Sequence, residues 1–316
     1  MQNEYPVEGR FSNPKLSALY GRQNVFVLVG QICAWALLLL AVDAASWWPA
    51  KVALVLIFCT VMQGVFSLMH ECFHSNAHPN PKVNYAIGFT ASLFFGTAFT
   101  SHLVNHWGHH IRNRTPAEQG EFIHEGESAA GKIALYYFAV CGGLWLSSLL
   151  MPLICFFLPY RTVEWLSKQA RYNTYSAAFR QFKARDWSRM RLETVALVLF
   201  WISVIRFMPV QTTTLVVCYA AFVFSWSSLQ WIYHLHTPLH LTEGAYNLRL
   251  PAPMRWLFLN FNCNLTHHRQ SHLPWQELYK ATDVRETQPL WYRWLLLFRW
   301  PIPFPKDLSI LEKRYF

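Results

Sequence analysis

The chain has 316 residues, of which 53% are hydrophobic, 17% are aromatic and only 14% are charged. A soluble domain usually carries about 25% charged residues, so this composition excludes an ordinary soluble domain and indicates an integral membrane protein. The formal net charge of +10 suits anionic lipid headgroups and the retention of Lys and Arg on the cytoplasmic side. In so apolar a chain we expect membrane lipids, and no nucleic acid, as partners.

The first two apolar runs, 25–42 and 52–69, predict a pair of transmembrane helices. Each is about as long as a helix that crosses a hydrocarbon core of about 30 Å. Only a short linker with a Trp pair and Pro49 separates them, so we expect a membrane hairpin. Residues 1–23 are polar and basic, which indicates a cytoplasmic tail before an uncleaved first span. The chain then returns to the cytoplasmic side at His70.

The sequences of the next two apolar segments do not predict straight transmembrane helices. Residues 85–100 are few and rich in Gly and Thr, which favours a re-entrant or interfacial segment. Residues 133–158 contain a Gly pair and Pro152. The basic loop 159–191 that follows belongs in the cytoplasm by the positive-inside rule, which a single crossing at 133–158 would violate. We therefore predict a broken segment, embedded in the membrane or lying in its plane.

The last two apolar runs, 192–207 and 210–232, predict a second hairpin, after which residues 233–316 return to the cytoplasm. Within that region, 291–304 is typical of a segment lying on the membrane interface. The predicted fold is an all-α integral membrane protein with four transmembrane helices in two hairpins, re-entrant or interfacial segments, and a cytoplasmic histidine-rich cap. We expect 1–316 to form a single domain, with both termini and the active site on the cytoplasmic face.

Most of the fourteen histidines fall in clusters just beyond apolar segments that end on the cytoplasmic side. The stretch HECFH has the spacing i, i+4. HWGHH has the spacing i, i+3, i+4, and NLTHH repeats that pattern with Asn264 in the first position. On a helix, these spacings place the side chains on one face. With one further histidine at the end of the fourth predicted span, the candidate metal ligands are His70, His74, His106, His109, His110, His234, His267 and His268.

Eight imidazoles are too many for one tetrahedral zinc, which takes four ligands in a structural site and three plus water in a catalytic one. They suit two metal ions with open positions. Soluble di-iron proteins use Glu and Glu-x-x-His sets, but carboxylates are scarce near these clusters. We therefore predict an all-imidazole centre for two metals. The residue types alone leave Fe, Zn, Cu and Ni open.

The stretch His70–His74 also fits H-E-x-x-H, the signature of zinc proteases, with Glu71 as the catalytic base. The extended form of that motif needs Gly at 77 and His at 80, where this chain has Ala77 and Asn80. A zinc membrane protease would also leave the other two histidine clusters without a role. It remains a remote alternative.

The three clusters on two membrane hairpins resemble the membrane fatty acid desaturase superfamily, which includes related hydroxylases and ketolases. HWGHHIRNRTPAEQGEFI is similar to that family's second histidine box, and NFNCNLTHHRQSHLPWQEL is similar to its third. YHLHTPLHLTEGAYNLRL looks like its extra-histidine region, and there the position before Pro238 favours His234 over His236. The resemblance covers most of residues 20–280, and it implies that the eight histidines bind two non-haem irons.

The resemblance also assigns roles to three other residues. Asn264 stands where many members have His, which implies ligation that is poor or passes through water. His272 follows Ser271, where the family often has Pro, and we interpret it as orienting a ligand. Glu71 either accepts a hydrogen bond from an imidazole N–H or is solvated, and both readings stay open.

The implied activity is the O2-dependent oxidation of a long chain, most simply the desaturation of an acyl lipid, acyl-CoA or acyl carrier protein substrate. The alternative is hydroxylation or ketolation of an alkyl, acyl or carotenoid chain. The sequence has no C-x-x-C-H motif and no four-cysteine cluster, so we expect no bound haem or flavin. Electrons must then come from a separate ferredoxin-type or cytochrome-type donor with its reductase. The basic residues of loop 159–191 either dock a partner or serve only to keep this loop in the cytoplasm.

Overall fold

The computed structural model describes residues 17–169, 179–286, 288–299 and 301–312, which are almost entirely helical. In chain order the helices are α1 Ala18–Ala44, α2 Trp48–Phe73, α3 Pro81–Phe95, α4 Phe99–Arg112, α5 Ala129–Phe138, α6 Leu144–Phe157, α7 Tyr160–Gln169, α8 Ala184–Phe207, α9 Thr212–Ile232, α10 Ala252–Leu257, α11 Asn264–Arg269, α12 Trp275–Leu278, α13 Leu290–Leu296 and α14 Ser309–Glu312. A 3-10 turn lies at Pro116–Glu118 and a π-helical segment at Ala139–Gly143. Two short strands, β1 Phe122–Ile123 and β2 Ile302–Pro303, pair in parallel.

Four helical segments of the described residues are long and apolar enough to cross a membrane: Ala18–Ala44, Trp48–Phe73, Ala129–Phe157 and Thr212–Ile232. This finding confirms the prediction of an all-α membrane fold. The predicted spans 25–42 and 52–69 lie within the first two of these segments. The sidedness of the membrane, and with it the cytoplasmic placement of the cap, stays a prediction.

The predicted third span, 192–207, lies inside α8 rather than in one of those four segments. The first half of α8 carries Arg185, Asp186, Arg189, Arg191 and Glu193, so its composition is less apolar. Its second half nevertheless exposes large apolar side chains, among them Leu199, Ile202 and Ile205. Such a face suits contact with lipid, and the span at 192–207 stays a prediction.

The segment that we expected to be re-entrant or interfacial forms two helices, α3 and α4, which meet at an angle of 100°. Asn80 caps the start of α3 by accepting from the backbone N–H groups of Lys82 and Val83. The helix ends at Gly96, whose φ of 92° is a left-handed conformation that favours glycine. The bend is consistent with either a broken span or a re-entrant loop, and it directs α4 along a new axis.

The break expected within residues 133–158 is present at the π-helical segment Ala139–Gly143. Gly142 has a φ of 127°, and a Cβ atom there would lie 3.0 Å from the side chain of Val223. The helix therefore kinks where only glycine fits between α6 and α9. After the kink, Leu146, Leu150 and Leu153 of α6 are exposed.

The core lies around the second half of α2, which packs against α1, α3 and α9. Residues 62–73 of α2 are buried without interruption, whereas the residues of its first turns are exposed. The first histidine cluster therefore sits at the buried end of a membrane helix. Most of the predicted N-terminal tail (1–16), part of the basic loop (170–178) and the last four residues (313–316) lie outside the described residues.

Candidate metal centre

The eight predicted histidine ligands converge on one place. His70, His74, His106 and His267 form one group, and His109, His234 and His268 form a second. Within each group, one ring nitrogen from every member lies within 4.8 Å of the others.

His110 lies between the two groups. Its Nε2 atom is 3.0 Å from Nε2 of His106 and 3.1 Å from Nε2 of His267, both in the first group. Its ring centroid is 4.6 Å from that of His268, in the second group. The structure thus brings together all eight candidates; their role as metal ligands stays a prediction.

Helix α4 brings the two groups together because its spacing presents three imidazoles along one face. His106 approaches the end of α2, where its Nε2 atom is 2.6 Å from Nε2 of His74. His109, three residues on, instead faces His234 across a ring separation of 4.8 Å. The third cluster follows on the short helix α11, where His267 and His268 are consecutive and so point to different groups. This arrangement explains the spacing i, i+3, i+4 in HWGHH.

The chemistry of the donor set fits a metal centre. Imidazole nitrogens that share one metal ion, with bonds of about 2.1 Å, lie about 3 Å apart, and the separations around His106 and His110 have this size. The buried Nε2 atoms of His70 and His268 have no hydrogen-bond partner among the described residues. Buried polar atoms normally have such partners, so these two nitrogens are suited to metal ligation.

Burial also keeps several of these imidazoles neutral. It is the largest cause that lowers the pKa of His74, His234, His267 and His268 well below the usual range, and neighbouring histidines lower it further. A neutral imidazole keeps the lone pair with which it binds a metal.

Two ring orientations in the second group are set by hydrogen bonds on the side away from the other histidines. The Nδ1–H of His234 donates to the backbone carbonyl of Gly244 over 2.7 Å, so Nε2 carries the lone pair. Nδ1 of His109 lies 2.7 Å from Oε2 of Glu118, whose other oxygen accepts from Arg112. Burial opposes the ionisation of Glu118, but His109 and Arg112 outweigh it and hold the pKa of this carboxyl below its usual range. Such partners fix the tautomer and the orientation of metal-binding histidines.

Glu118 was not among the site residues predicted from the sequence. It lies nine residues after His109, in a polar turn. The one sequence feature that could have identified it is that it is a lone carboxylate close to a histidine cluster.

We expect Glu118→Gln to lower the affinity of the centre for its metal by about 10- to 100-fold, the usual cost of losing a carboxylate that orients a histidine ligand. The measurement is the loss of bound metal from the purified protein as chelator is titrated. Glu125→Gln, at an exposed position of the same loop, is the matched control. Equal retention of metal by the two variants would show that Glu118 does not orient His109.

A buried ion pair within the loop after the second cluster also makes hydrogen bonds to the loop that carries His234. Nη1 of Arg114 lies 2.6 Å from Oε1 of Glu121, and both side chains are almost fully buried. Arg114 also donates to the carbonyl of Thr237, and Glu121 accepts from the backbone N–H of His236. The pair therefore holds the two histidine-bearing loops together.

The three other predicted site residues lie in different settings. Glu71 is buried and accepts from the backbone N–H of Trp275 over 2.9 Å, so it ties the first cluster to the segment after the third. Asn264 is buried, and its Oδ1 has no hydrogen-bond partner among the described residues. His272 is exposed and belongs to neither histidine group. His236, the alternative to His234, lies outside both groups as well.

A cavity of about 420 Å³ opens beside the two groups. His106, His109, His234 and His268 contribute to its lining. Half of the other lining residues are aromatic or aliphatic, most of them from α2, α6 and α9, and the other half are polar or charged. The exposed Leu150 of α6 is among the lining residues, so the cavity reaches a face of the protein that suits contact with lipid.

The fold and the site together define a helical membrane protein that carries a histidine-rich centre beside an apolar cavity. The family described as "Fatty acid desaturase" matches residues 45–300, which is most of the chain. The protein belongs to this family, as the resemblance of its histidine boxes implied, and is accordingly an oxidoreductase of the desaturase or hydroxylase type. A search of curated proteins gave no significant match.

Proposed function

We propose that the protein desaturates the acyl chain of a membrane lipid or an acyl thioester, with O2 as the oxidant. The observation that carries this proposal is the cavity, because it places four of the clustered histidines in the wall of an apolar space large enough for a ligand. Membership of the desaturase family supports the same reaction class.

The eight histidines would hold two irons, which supply the oxidising power that breaks an unactivated C–H bond. In the balanced reaction, O2 is reduced to two molecules of water. Two of its four electrons come from the two C–H bonds that become a C=C bond, and two come from a separate ferredoxin-type or cytochrome-type donor. The protein's own residues bind the chain, exclude water and hold the chosen carbon at the histidine wall.

The site would face the cytoplasm, where the electron donor is. The charged surface around α7 supports this orientation, because α7 carries Arg161 and Lys168, and Arg180 donates to the backbone carbonyl of Ser167 on the same helix. Basic residues accumulate on the cytoplasmic side and attract acidic partners and anionic headgroups.

The lipid profile of cells that express the protein tests the proposal. We expect new lipids that are lighter than their precursors by two hydrogens, and we expect them to vanish in cells that express His106→Ala. Products heavier by one oxygen would instead show that the same centre acts as a hydroxylase or ketolase. An unchanged lipid profile, with protein present in the membrane, would contradict the proposal.

A further inference from the structure

The cavity beside the histidines is not a plain hydrocarbon tube. Several polar side chains line it, and some of their atoms are shielded from solvent without a hydrogen-bond partner among the described residues. On α9 and its end these atoms are Nε1 of Trp226, Nε2 of Gln230 and the hydroxyl of Tyr233. On α4 they are Nε2 of His102 and Oδ1 of Asn105.

The α9 atoms form one set because their spacing is helical. Trp226, Gln230 and Tyr233 are related by i, i+4 and i+7, which places them along one face of the helix. Trp226 and Tyr233 are themselves at least nine-tenths buried. Their groups can donate hydrogen bonds, so this face of the cavity offers a row of donors.

This donor row lies close to the metal-binding histidines. The ring of Phe66 lies 5.1 Å from Trp226 and 6.3 Å from His70, between centroids. The ring of Phe261 lies 5.2 Å from Tyr233 and 4.9 Å from His70. One aromatic ring therefore separates each of these donors from the first histidine group.

We propose that Trp226, Gln230 and Tyr233 form a subsite that binds an oxygen-bearing group of the substrate, such as an ester or thioester carbonyl, inside the cavity. A pure hydrocarbon in the cavity would leave these buried donors unpaired, which costs free energy, whereas an oxygen acceptor pairs with them. This subsite rests on the proposed function and narrows it. The oxygen-bearing end of the acyl substrate lies within the cavity, close to the carbon that is oxidised.

The test uses two photoreactive probes of equal chain length on the metal-loaded protein. One probe carries a methyl ester next to its diazirine, and the other is the matching alkane. We expect the ester probe to label the peptide that contains residues 226–233. In the variant Gln230→Leu/Tyr233→Phe, we expect labelling by the ester probe to fall about 10-fold, the effect of losing one or two hydrogen bonds, and labelling by the alkane to stay the same or rise.

Two controls make the result specific. Tyr292→Phe removes the same hydroxyl from an exposed ring and should leave both probes unaffected. Single-variant Tyr233→Phe changes only one atom, so it keeps the test valid if the double variant loses bound metal.

The outcomes separate the subsite from the proposed function. If both probes label the wild type equally and the variants change neither, water rather than substrate pairs with the donors, and the subsite is wrong while an apolar substrate survives. If neither probe labels the cavity, the proposed lipid substrate fails, and the subsite fails with it.

Discussion

Replacing His106 by alanine is expected to empty the centre of metal and to lower turnover by more than about 100-fold, since loss of even an outer partner of a ligand costs 10- to 100-fold. The effect should be this large because His106 is central. Its Nε2 atom lies within hydrogen-bonding distance of His74 and His110, and its ring is 4.4 Å from that of His70. Metal content per chain and product formation are measured on the same purified sample.

The matched control for His106→Ala is His240→Asn. His240 is exposed, lies outside both histidine groups, and accepts from the backbone N–H of Thr242. Asparagine can make the same short-range hydrogen bond, so this variant removes an imidazole without disturbing the turn. Full metal content in His106→Ala would contradict its assignment as a ligand.

The substitution Glu121→Gln is expected to destabilise the protein by about 3–5 kcal/mol, the usual cost of removing one partner of a buried ion pair. Arg114 would remain buried beside an uncharged side chain that no longer balances its charge. The measurement is the thermal unfolding of the purified protein in detergent, with metal content followed in parallel.

An exposed ion pair provides the comparison for Glu121→Gln. Glu164 and Lys168 form a pair on the surface of α7, where such a pair contributes about 0–1 kcal/mol. We therefore expect Glu164→Gln to unfold close to the wild-type temperature. If the two variants unfold at the same temperature, the pair of Arg114 and Glu121 does not hold the loops together.

The histidine cluster could be predicted because its signal is local. Spacings of three and four residues place imidazoles on one face, whatever the tertiary fold, and the apolar runs of α1 and α2 indicate which end of each helix the clusters occupy. His234 followed from its position at the end of an apolar run. The groups that orient these histidines were not predictable, because Glu118 and the carbonyl of Gly244 reach His109 and His234 only through the fold.

The membrane topology was harder to predict than the site. Length and apolar composition identify α1, α2 and α9, but the same two quantities rank the kinked segment 129–157 above α8. Charges cluster in the first half of α8, while its second half is apolar. A composition averaged over a whole helix cannot describe one whose first half is charged and whose second half is apolar. The contact of Glu71 with Trp275 joins segments 204 residues apart, and no sequence pattern carries such a pairing.

The metal content of the purified, active protein tests the central claim most directly. An all-histidine centre of the desaturase family predicts about two irons per chain, in keeping with the two groups of histidines that the fold brings together. Active protein that contains only zinc would contradict the account. That result would favour the alternative in which HECFH is the zinc-binding motif of a protease.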